Sequence, residues 1–254
     1  MPRMRRQKSS TGIYHIILRG INRQIIFQDN EDKEKFIEVL KKYKEVSKYE
    51  VYAFCIMDNH AHILIREGKE PLAKVMKRIG VSYVYWYNWK YERNGHLFQD
   101  RYKSEPVEDD KYLLTVIRYI HQNPLKAGIV DSIDQYQWSS HHEYIKSTNK
   151  VVDTQLILGM FADRREQAIQ RYKEFMNERS SEECLEIKQI KKLNDKEGLE
   201  TIKQHLCIQS IEELKKLDKE ERDACLRKLK AIEGLSIRQI ARITGFTVSI
   251  VAKA

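Results

Sequence analysis

Apolar and polar positions in the first part of the chain follow two alternating periods. A β-branched run over Gly12–Gly20 predicts a strand. Residues 29–48 begin with acids, offer Asp29 or Asn30 as the N-cap and carry apolar side chains at helical spacing, which predicts a helix. Two further strands are predicted within residues 49–67, with the sequence MDNH as the turn between them.

The same periods continue downstream. Pro71 stands at a helix-entry position before a long amphipathic segment, and residues 96–107 predict a short strand with a basic face. Residues 109–123 predict a helix that stops at Pro124. The order β-α-β-β-α-β with a further helix predicts an α+β, ferredoxin-like (split βαβ) fold. We expect an antiparallel sheet with helices on one face and the other face free for a ligand.

Strand patterns end near residue 150, and the following Glu-, Lys- and Leu-rich sequence predicts helices. Near the end, SIRQIARITG predicts a helix closed by Gly245, and TVSIVAKA predicts a second helix capped by Thr247. This pattern is typical of a helix-turn-helix, with an ordinary helical hairpin as the alternative. We therefore predict a first domain over 1–150, a helical linker region over 151–195, and a helical DNA-binding region over 196–254 with its helix-turn-helix at 234–254.

Charge narrows the choice of partner. The net charge is +9 and the first eight residues hold Arg3, Arg5, Arg6 and Lys8 without an acid. A polyanion is therefore the expected partner, and the basic start is either a solvated end or a phosphate-binding arm. No apolar run is long enough to span a bilayer or to serve as a secretory signal, and the four cysteines form no C-x-x-C pair. These features favour a cytoplasmic protein with reduced thiols and no membrane partner.

The sequence FCIMDNHAHILI places two histidines inside an apolar strand. Strand side chains alternate between faces, so His60 and His62 point one way while Ala61 and Ile63 enter the core. Two neighbouring imidazoles are suited to share a divalent metal, although an H-x-H pair alone is more often structural. Two ligands are also too few to hold a catalytic ion without help from elsewhere.

Further polar side chains occur in LLTVIRYIHQNPLKAG. Its apolar stripe follows helical spacing, and Tyr119 and Asn123 lie together on one flank of that stripe, with Tyr112 on the same flank. By pattern alone each tyrosine is more often a packing residue. Beside a metal, however, a phenol is able to attack a phosphodiester and form a phosphotyrosine ester.

These residues together resemble a known family. MDNHAHILI is similar to the HUH motif, although Ala61 is small for its middle position, and RYIHQNPLKAG resembles the tyrosine helix of single-tyrosine HUH transposases. The segments YHIILRGINRQIIF, HLFQDRYKSEPV and YQWSSHHEY resemble the REP-associated tyrosine transposases and their relatives in order and spacing. The resemblance covers roughly residues 10–145.

The resemblance implies a ferredoxin-like enzyme that uses Mg²⁺ or Mn²⁺ to cleave and rejoin single-stranded or hairpin DNA, with the 5′ phosphate held on a tyrosine. It assigns His60, His62 and Asn123 as metal ligands and Tyr119 as the nucleophile. A nucleoid-associated cytoplasmic protein, monomeric or homodimeric, is expected. The C-terminal helical extension is less typical of the shortest members of the family.

Basic and polar residues flank this predicted site. Arg19, Asn22, Arg23, Arg101 and Lys103 suit the phosphates of a single strand, and Tyr102 suits stacking on a base. In the predicted helix-turn-helix, backbone contact is expected from Arg238 and Arg242, and base contact from Thr247, Ser249 and Lys253.

Three functions fit the sequence. The first is a metal-dependent DNA-strand transferase, the second is a non-catalytic nucleic-acid-binding regulator, and the third is a zinc hydrolase that uses His60 and His62. Only the first function requires Tyr119 and a covalent bond between protein and DNA.

Overall fold

A computed structural model describes residues 6–146, 151–178, 184, 193–232 and 234–254. The predicted basic positions Arg3 and Arg5, and much of the predicted linker, lie outside these residues. The chain divides into two compact units, Met1–Glu186 and Ile187–Ala254. In the part of the chain that is described, no helix is both long and apolar enough to cross a membrane.

The first unit is an α+β unit with a four-stranded antiparallel sheet, and the second is helical. The strand order is β2-β3-β1-β4, so β2 and β4 are the edge strands. The elements of the first unit are β1 (Ile13–Arg19), α1 (Asn30–Ser47), β2 (Glu50–Met57), β3 (His60–Arg66), α2 (Leu72–Lys90), β4 (Lys103–Val107), α3 (Asp110–Lys126), α4 (His141–Lys146), α5 (Thr154–Gly159) and α6 (Arg165–Asn177). Those of the second are α7 (Asp195–Leu206), α8 (Ile211–Lys216), α9 (Lys219–Lys230), α10 (Ile237–Thr244) and α11 (Val248–Lys253).

Two helices cover one face of the sheet. The β1-α1-β2 and β3-α2-β4 connections place α1 and α2 on the same side, where the two helices pack against each other. Phe27, Phe36 and Tyr83 meet edge-on or tilted at this junction, with ring centroids 5.3 Å apart. Asp29 begins α1 with a reciprocal capping box to Asp32, as the acidic start predicted.

The expectation that helices lie on one face only is wrong. Helix α3 packs against β2 and β3 on the side that carries His62, so the second face is also covered. An antiparallel sheet whose two faces both carry apolar side chains must bury both, and Ile17 and Leu64 on the His62 side are buried just as Ile16 and Ile63 are on the other.

The predicted stop of α3 at Pro124 is also wrong. The helix continues to Lys126, and the amide of Ala127 donates to the Asn123 carbonyl at 2.9 Å. A proline this close to the helix end removes a single backbone hydrogen bond, which the packing of α3 on the sheet offsets. Asn123 is therefore held within regular helix.

A buried polar network fastens α3 to the elements behind it. The Tyr172 hydroxyl of α6 lies 2.9 Å from His121 Nδ1 and 3.1 Å from His141 Nδ1. His121 Nε2 lies 2.8 Å from the Ser140 hydroxyl, and Gln122 donates to the Met176 carbonyl at 2.7 Å. The network therefore satisfies buried polar atoms on the side of α3 that faces away from the histidine pair.

We expect Tyr172→Phe to lower the free energy of unfolding of the first unit by about 1–3 kcal/mol, because two buried imidazoles lose a hydrogen-bond partner. Urea unfolding followed by tryptophan fluorescence measures this, since all three tryptophans (Trp86, Trp89 and Trp138) belong to the first unit. The exposed Tyr85 supplies the control variant Tyr85→Phe. Equal stability losses in the two variants would contradict the proposed importance of the network.

Candidate active site

The two histidines of β3 follow a tight turn. Asp58 and Asn59 form the two-residue connection from β2, and the Asp58 carbonyl accepts hydrogen bonds from the amides of Ile26 and Phe27 at 2.8 and 2.9 Å. His60 and His62 project from the same face of the strand, with ring centroids 5.0 Å apart. His60 is partly exposed and His62 is buried, so the pair lies at the border between solvent and core.

Helix α3 brings Tyr119 and Asn123 to this histidine pair. The Tyr119 ring stands edge-on to His62 at a centroid distance of 5.5 Å, and Asn123 Nδ2 lies 3.3 Å from His62 Nε2. Tyr119 is buried, whereas Asn123 is partly exposed. The Lys126 ammonium lies 5.1 Å from the centre of the Tyr119 ring and places positive charge beside it.

A third histidine, His15, joins the site from β1. Its Nε2 shares a 3.0 Å hydrogen bond with His62 Nδ1, its ring stacks on that of His62, and its centroid lies 5.8 Å from that of Tyr119. Our sequence analysis missed this residue. Strand alternation places His15 on the same face of β1 as Arg19. The sequence does not show that Arg19 pairs with His60, because that contact joins residues far apart in the chain.

The hydrogen bonds assign the imidazole protons. An amide nitrogen only donates, so with the Asn123 amide in this orientation His62 Nε2 accepts from it and neutral His62 carries its proton on Nδ1. His62 therefore donates to His15 Nε2, which leaves the His15 proton on Nδ1, a buried atom without a hydrogen-bond partner among the described residues. His60 Nδ1 in turn donates to the side-chain amide oxygen Oδ1 of Asn59 at 2.6 Å.

Burial keeps all three histidines neutral. It lowers the pKa of His15 to about 3 and, together with the charge of Arg19, lowers the pKa of His60 to about 4. Burial is also the main reason that the pKa of His62 lies well below its ordinary value, and the adjacent His15 and His60 lower that pKa further. The lone pair of each Nε2 atom on β3 is consequently available to a cation near neutral pH.

The donor set fits a divalent metal. His60 Nε2, His62 Nε2 and, after a turn of its amide, the Asn123 oxygen would supply two nitrogens and one oxygen and leave positions for substrate oxygens. Both imidazoles are oriented by hydrogen bonds at Nδ1, as ligating histidines usually are. In the described part of the chain no cluster of three or more His, Cys, Asp or Glu residues is suited to hold a metal, and this donor set takes the amide of Asn123 as its third group.

Of the predicted basic residues near Gly20, Arg19 lies beside His60. Arg19 pairs with His60 across β1 and β3. The pKa of Arg19 is lowered mainly by burial and, to a smaller extent, by the positive charge of nearby Arg23. Asn22 and Arg23 both adopt left-handed backbone angles, with φ values of 50° and 63°. The Gly20 amide donates to the Asn59 carbonyl at 3.0 Å, which ties this loop to the turn before His60.

The predicted residues near β4 separate between the two faces of the sheet. Lys103 pairs with Ile17, which lies opposite His62, so Lys103 belongs to the histidine face. Arg101 and Tyr102 instead line a cavity with Tyr14, whose side chain leaves the sheet on the opposite face. The structure therefore does not bring Arg101 and Tyr102 to the histidines.

Five further predicted residues occupy the second unit: Arg238, Arg242, Thr247, Ser249 and Lys253, the last of which is exposed. Arg242 forms a two-pronged ion pair with Asp195, at 2.5 and 2.7 Å, while Arg238 is exposed. Thr247 caps α11 by accepting from the Ile250 amide, and Ser249 is exposed. Arg242 and Thr247 thus have structural partners within the unit.

Comparison with known proteins finds a matching family, a similar sequence and a similar fold. Residues 8–123 match the family described as "Transposase IS200 like". A Haemophilus influenzae protein described as a REP-associated tyrosine transposase is 25% identical over 124 residues, which cover 44% of this chain and 70% of that protein. A solved structure described as a REP-associated tyrosine transposase bound to a REP hairpin is similar in fold, with a TM-score of 0.50, 18% identity and coverage of 57% of this chain and 86% of that one.

We expect the metal-free protein to lose stability as the pH falls from about 6.5 toward 4. The histidines of the unfolded chain bind protons in this range whereas His15, His60 and His62 of the folded chain do not, so acid favours unfolding. At pH 5 each of these histidines lowers the free energy of unfolding by about 2 kcal/mol at most, relative to its value above pH 6.5. Urea unfolding at several pH values measures the slope, which His15→Gln is expected to reduce and the exposed-site control His96→Gln to leave unchanged. A stability that does not change between pH 7.5 and 5 would contradict neutral burial.

Proposed function

We propose that this chain, whose residues 8–123 match the IS200-like transposase family, cleaves and rejoins single-stranded DNA through a covalent bond to Tyr119. The observation that carries this proposal is the placement of one buried tyrosine edge-on to a pair of neutral histidines, with Asn123 in contact with both His62 and His60.

In the proposed reaction the phenolic oxygen of Tyr119 attacks the phosphorus of a phosphodiester. The bond from phosphorus to the 3′ oxygen breaks, Tyr119 gives up its proton, and the departing 3′ oxygen takes one up as a hydroxyl. The 5′ phosphate stays on Tyr119, so the energy of the broken bond is kept. Attack by a 3′ hydroxyl on this ester reverses the step and rejoins strands.

His60, His62 and Asn123 would hold the divalent ion of this reaction, which supplies positive charge next to the scissile phosphate. Of the two ions that the family resemblance implies, Mn²⁺ matches two imidazole donors better than Mg²⁺, which prefers oxygen. Arg19 and Arg23 are placed to bind the phosphates that flank the scissile one. Tyr119 is buried, so the substrate reaches it past the partly exposed His60, Asn123 and Arg19.

The fold supports this function in two further ways. We assign the sheet with its two crossover helices to the ferredoxin-like, split βαβ arrangement, since its element and strand orders are those of that fold. We also assign α10, the left-handed Gly245 and α11 to a helix-turn-helix that binds duplex DNA. Arg238, Ser249 and Lys253 are its exposed contact candidates, and REP-like hairpin DNA, which a protein of similar fold binds, is the proposed substrate.

A non-catalytic regulator remains the competing function, and the following assay distinguishes the two. We expect purified protein with Mn²⁺ to form a covalent adduct with labelled single-stranded hairpin DNA on denaturing gels, and EDTA to abolish it. Tyr119→Phe should abolish the adduct because it removes the attacking oxygen, while Tyr112→Phe on the same helix should retain it. An adduct that persists in Tyr119→Phe would refute the assignment of the nucleophile, and no adduct with any of several hairpins would favour the regulator.

We also assign His15 as a positioning residue that fixes the His62 ring through its hydrogen bond. His15→Leu should weaken Mn²⁺ binding about 10- to 100-fold, the usual effect of losing a partner behind a metal ligand. His15→Gln keeps a hydrogen-bond acceptor, so its Mn²⁺ affinity should stay close to that of the wild type. Titration of free Mn²⁺ by electron paramagnetic resonance measures both, and equal affinities for the Leu and Gln variants would contradict a role for the acceptor.

A further inference from the structure

A cavity of about 440 Å³ opens on the sheet face opposite the histidines. It lies where β1 and β4 meet the start of α2, and this volume is within the ~300–1,000 Å³ range that is typical of ligand sites. Tyr14 and Ser104 belong to this opposite face, because Tyr14 alternates with His15 and Ser104 alternates with Lys103. The other lining residues are Arg6, Gln7, Lys8, Glu67, Pro71, Leu72, Ala73, Arg101 and Tyr102.

The lining of the cavity is basic. Arg6, Lys8 and Arg101 contribute three positive charges, while Glu67 is the only acid among the lining residues. Glu67 Oε1 already accepts the Leu72 amide at 2.6 Å, so this carboxylate serves the first turn of α2. The positive end of the α2 dipole adds to the charge of the three cations.

Arg6 is held in place rather than extended into solvent. Its guanidinium carbon lies 3.9 Å from the centre of the Tyr102 ring, and its Nη2 donates to the Tyr102 carbonyl at 2.9 Å. The residues that follow it are fixed to the end of β4, where the Thr11 hydroxyl donates to the Val107 carbonyl at 2.5 Å. The basic start of the chain, for which the sequence left two readings, thus forms one wall of the cavity from Arg6 to Lys8.

The sheet edge connects this cavity with the histidine face. β4 is an edge strand, and Lys103 projects from its histidine side immediately after Arg101 and Tyr102, which line the cavity. A single DNA strand that passes Arg19 and Lys103 therefore meets Arg101 when it turns round the edge. A flexible single strand can make this turn, whereas a stiff duplex cannot.

We propose that the cavity is a second DNA subsite, which holds the phosphate and sugar of one nucleotide in a single-stranded segment that flanks the hairpin. This rests on the proposed function for the presence of DNA at the histidine face. Arg6, Lys8 and Arg101 bind the phosphate, and the Tyr14 and Tyr102 side chains form the floor against which the sugar packs. Free inorganic phosphate could bind the same three cations, but it is not part of a DNA strand that also contacts the histidine face across the edge of β4.

Ala73 provides a sharp test because it lines the cavity, is exposed and occupies the first turn of α2. An acid at that position favours the helix, so Ala73→Glu is compatible with folding while it places negative charge in the cavity. Ala73→Gln has the same size without the charge and is the matched control. Binding is measured by fluorescence anisotropy on the full chain in EDTA, with hairpins that carry or lack a single-stranded flank.

We expect Ala73→Glu to weaken binding of the flanked hairpin about tenfold relative to Ala73→Gln and to leave the unflanked hairpin almost unchanged. Adding inorganic phosphate should reduce this difference only at concentrations that also screen binding to the unflanked hairpin. Equal affinities of Ala73→Glu and Ala73→Gln for the flanked hairpin would overturn the proposal. Equal weakening for both hairpins would overturn it as well, since that result indicates general repulsion.

A second pair of variants does not depend on position 73. Lys8→Gln with Arg101→Gln removes two cations of the cavity, and Lys41→Gln with Lys42→Gln removes two exposed cations of α1. The first pair should lower the slope of log affinity against log salt for the flanked hairpin by up to ~0.7, the value for one phosphate contact of a single strand, and the second pair should not. Equal slopes would overturn the proposal. The adduct assay tests the catalytic function separately. If the protein forms the adduct but the cavity variants bind the flanked hairpin as the control variants do, only the subsite is refuted. If the cavity variants weaken binding of the flanked hairpin but no adduct forms, only the catalytic function is refuted.

Discussion

The pairing register of β1 with β3 is the constraint on which the site depends. It sets Arg19 opposite His60 and Ile17 opposite His62, and so places His15 beside the His62 ring. A slip by one residue would turn the histidines of one strand away from the other. Both ends of the pairing are fastened, since the Gly20 amide donates to the Asn59 carbonyl and the Glu67 amide donates to the Gly12 carbonyl. A side chain at position 20 would lie 2.2 Å from the Gln24 carbonyl oxygen, so the first of these contacts requires glycine.

Much of this site was predictable because its signals are local. Period-two alternation predicted that His60 and His62 share a face, and helical spacing predicted that Tyr119 and Asn123 share a flank. The two groups meet only through the packing of α3 on the sheet, and no local pattern specifies that contact. His15 was missed for the same reason, since one histidine in a β-branched strand has no partner until strands pair. Arg101 and Tyr102 were predicted beside the histidines but line the cavity with Tyr14, because they precede β4, where strand alternation does not yet specify a face.

Rigidity at the site comes from both sides of α3. Its sheet side contacts the histidines, and its outer side is fastened through His121 and Gln122 to α6. Neutral imidazoles are the polar groups that a dry interior tolerates best when each is hydrogen-bonded, and the chain uses them in both places. The two clusters differ in access. His60 and Asn123 reach partly into solvent, whereas His121 and His141 are buried and serve packing alone.

The loop after β1 has a consequence for how the chain tolerates change. Consecutive left-handed residues that are not glycine cost about 1–3 kcal/mol each, and such a loop persists only where its surroundings determine its shape. Asparagine adopts this conformation more readily than most residues, but arginine has no such preference. The strain at position 23 therefore works against the fold at an exposed arginine that lies close to Arg19. Glycine at this position would relax the backbone and remove the positive charge, so the loop holds a stability reserve that is accessible only through the loss of this arginine.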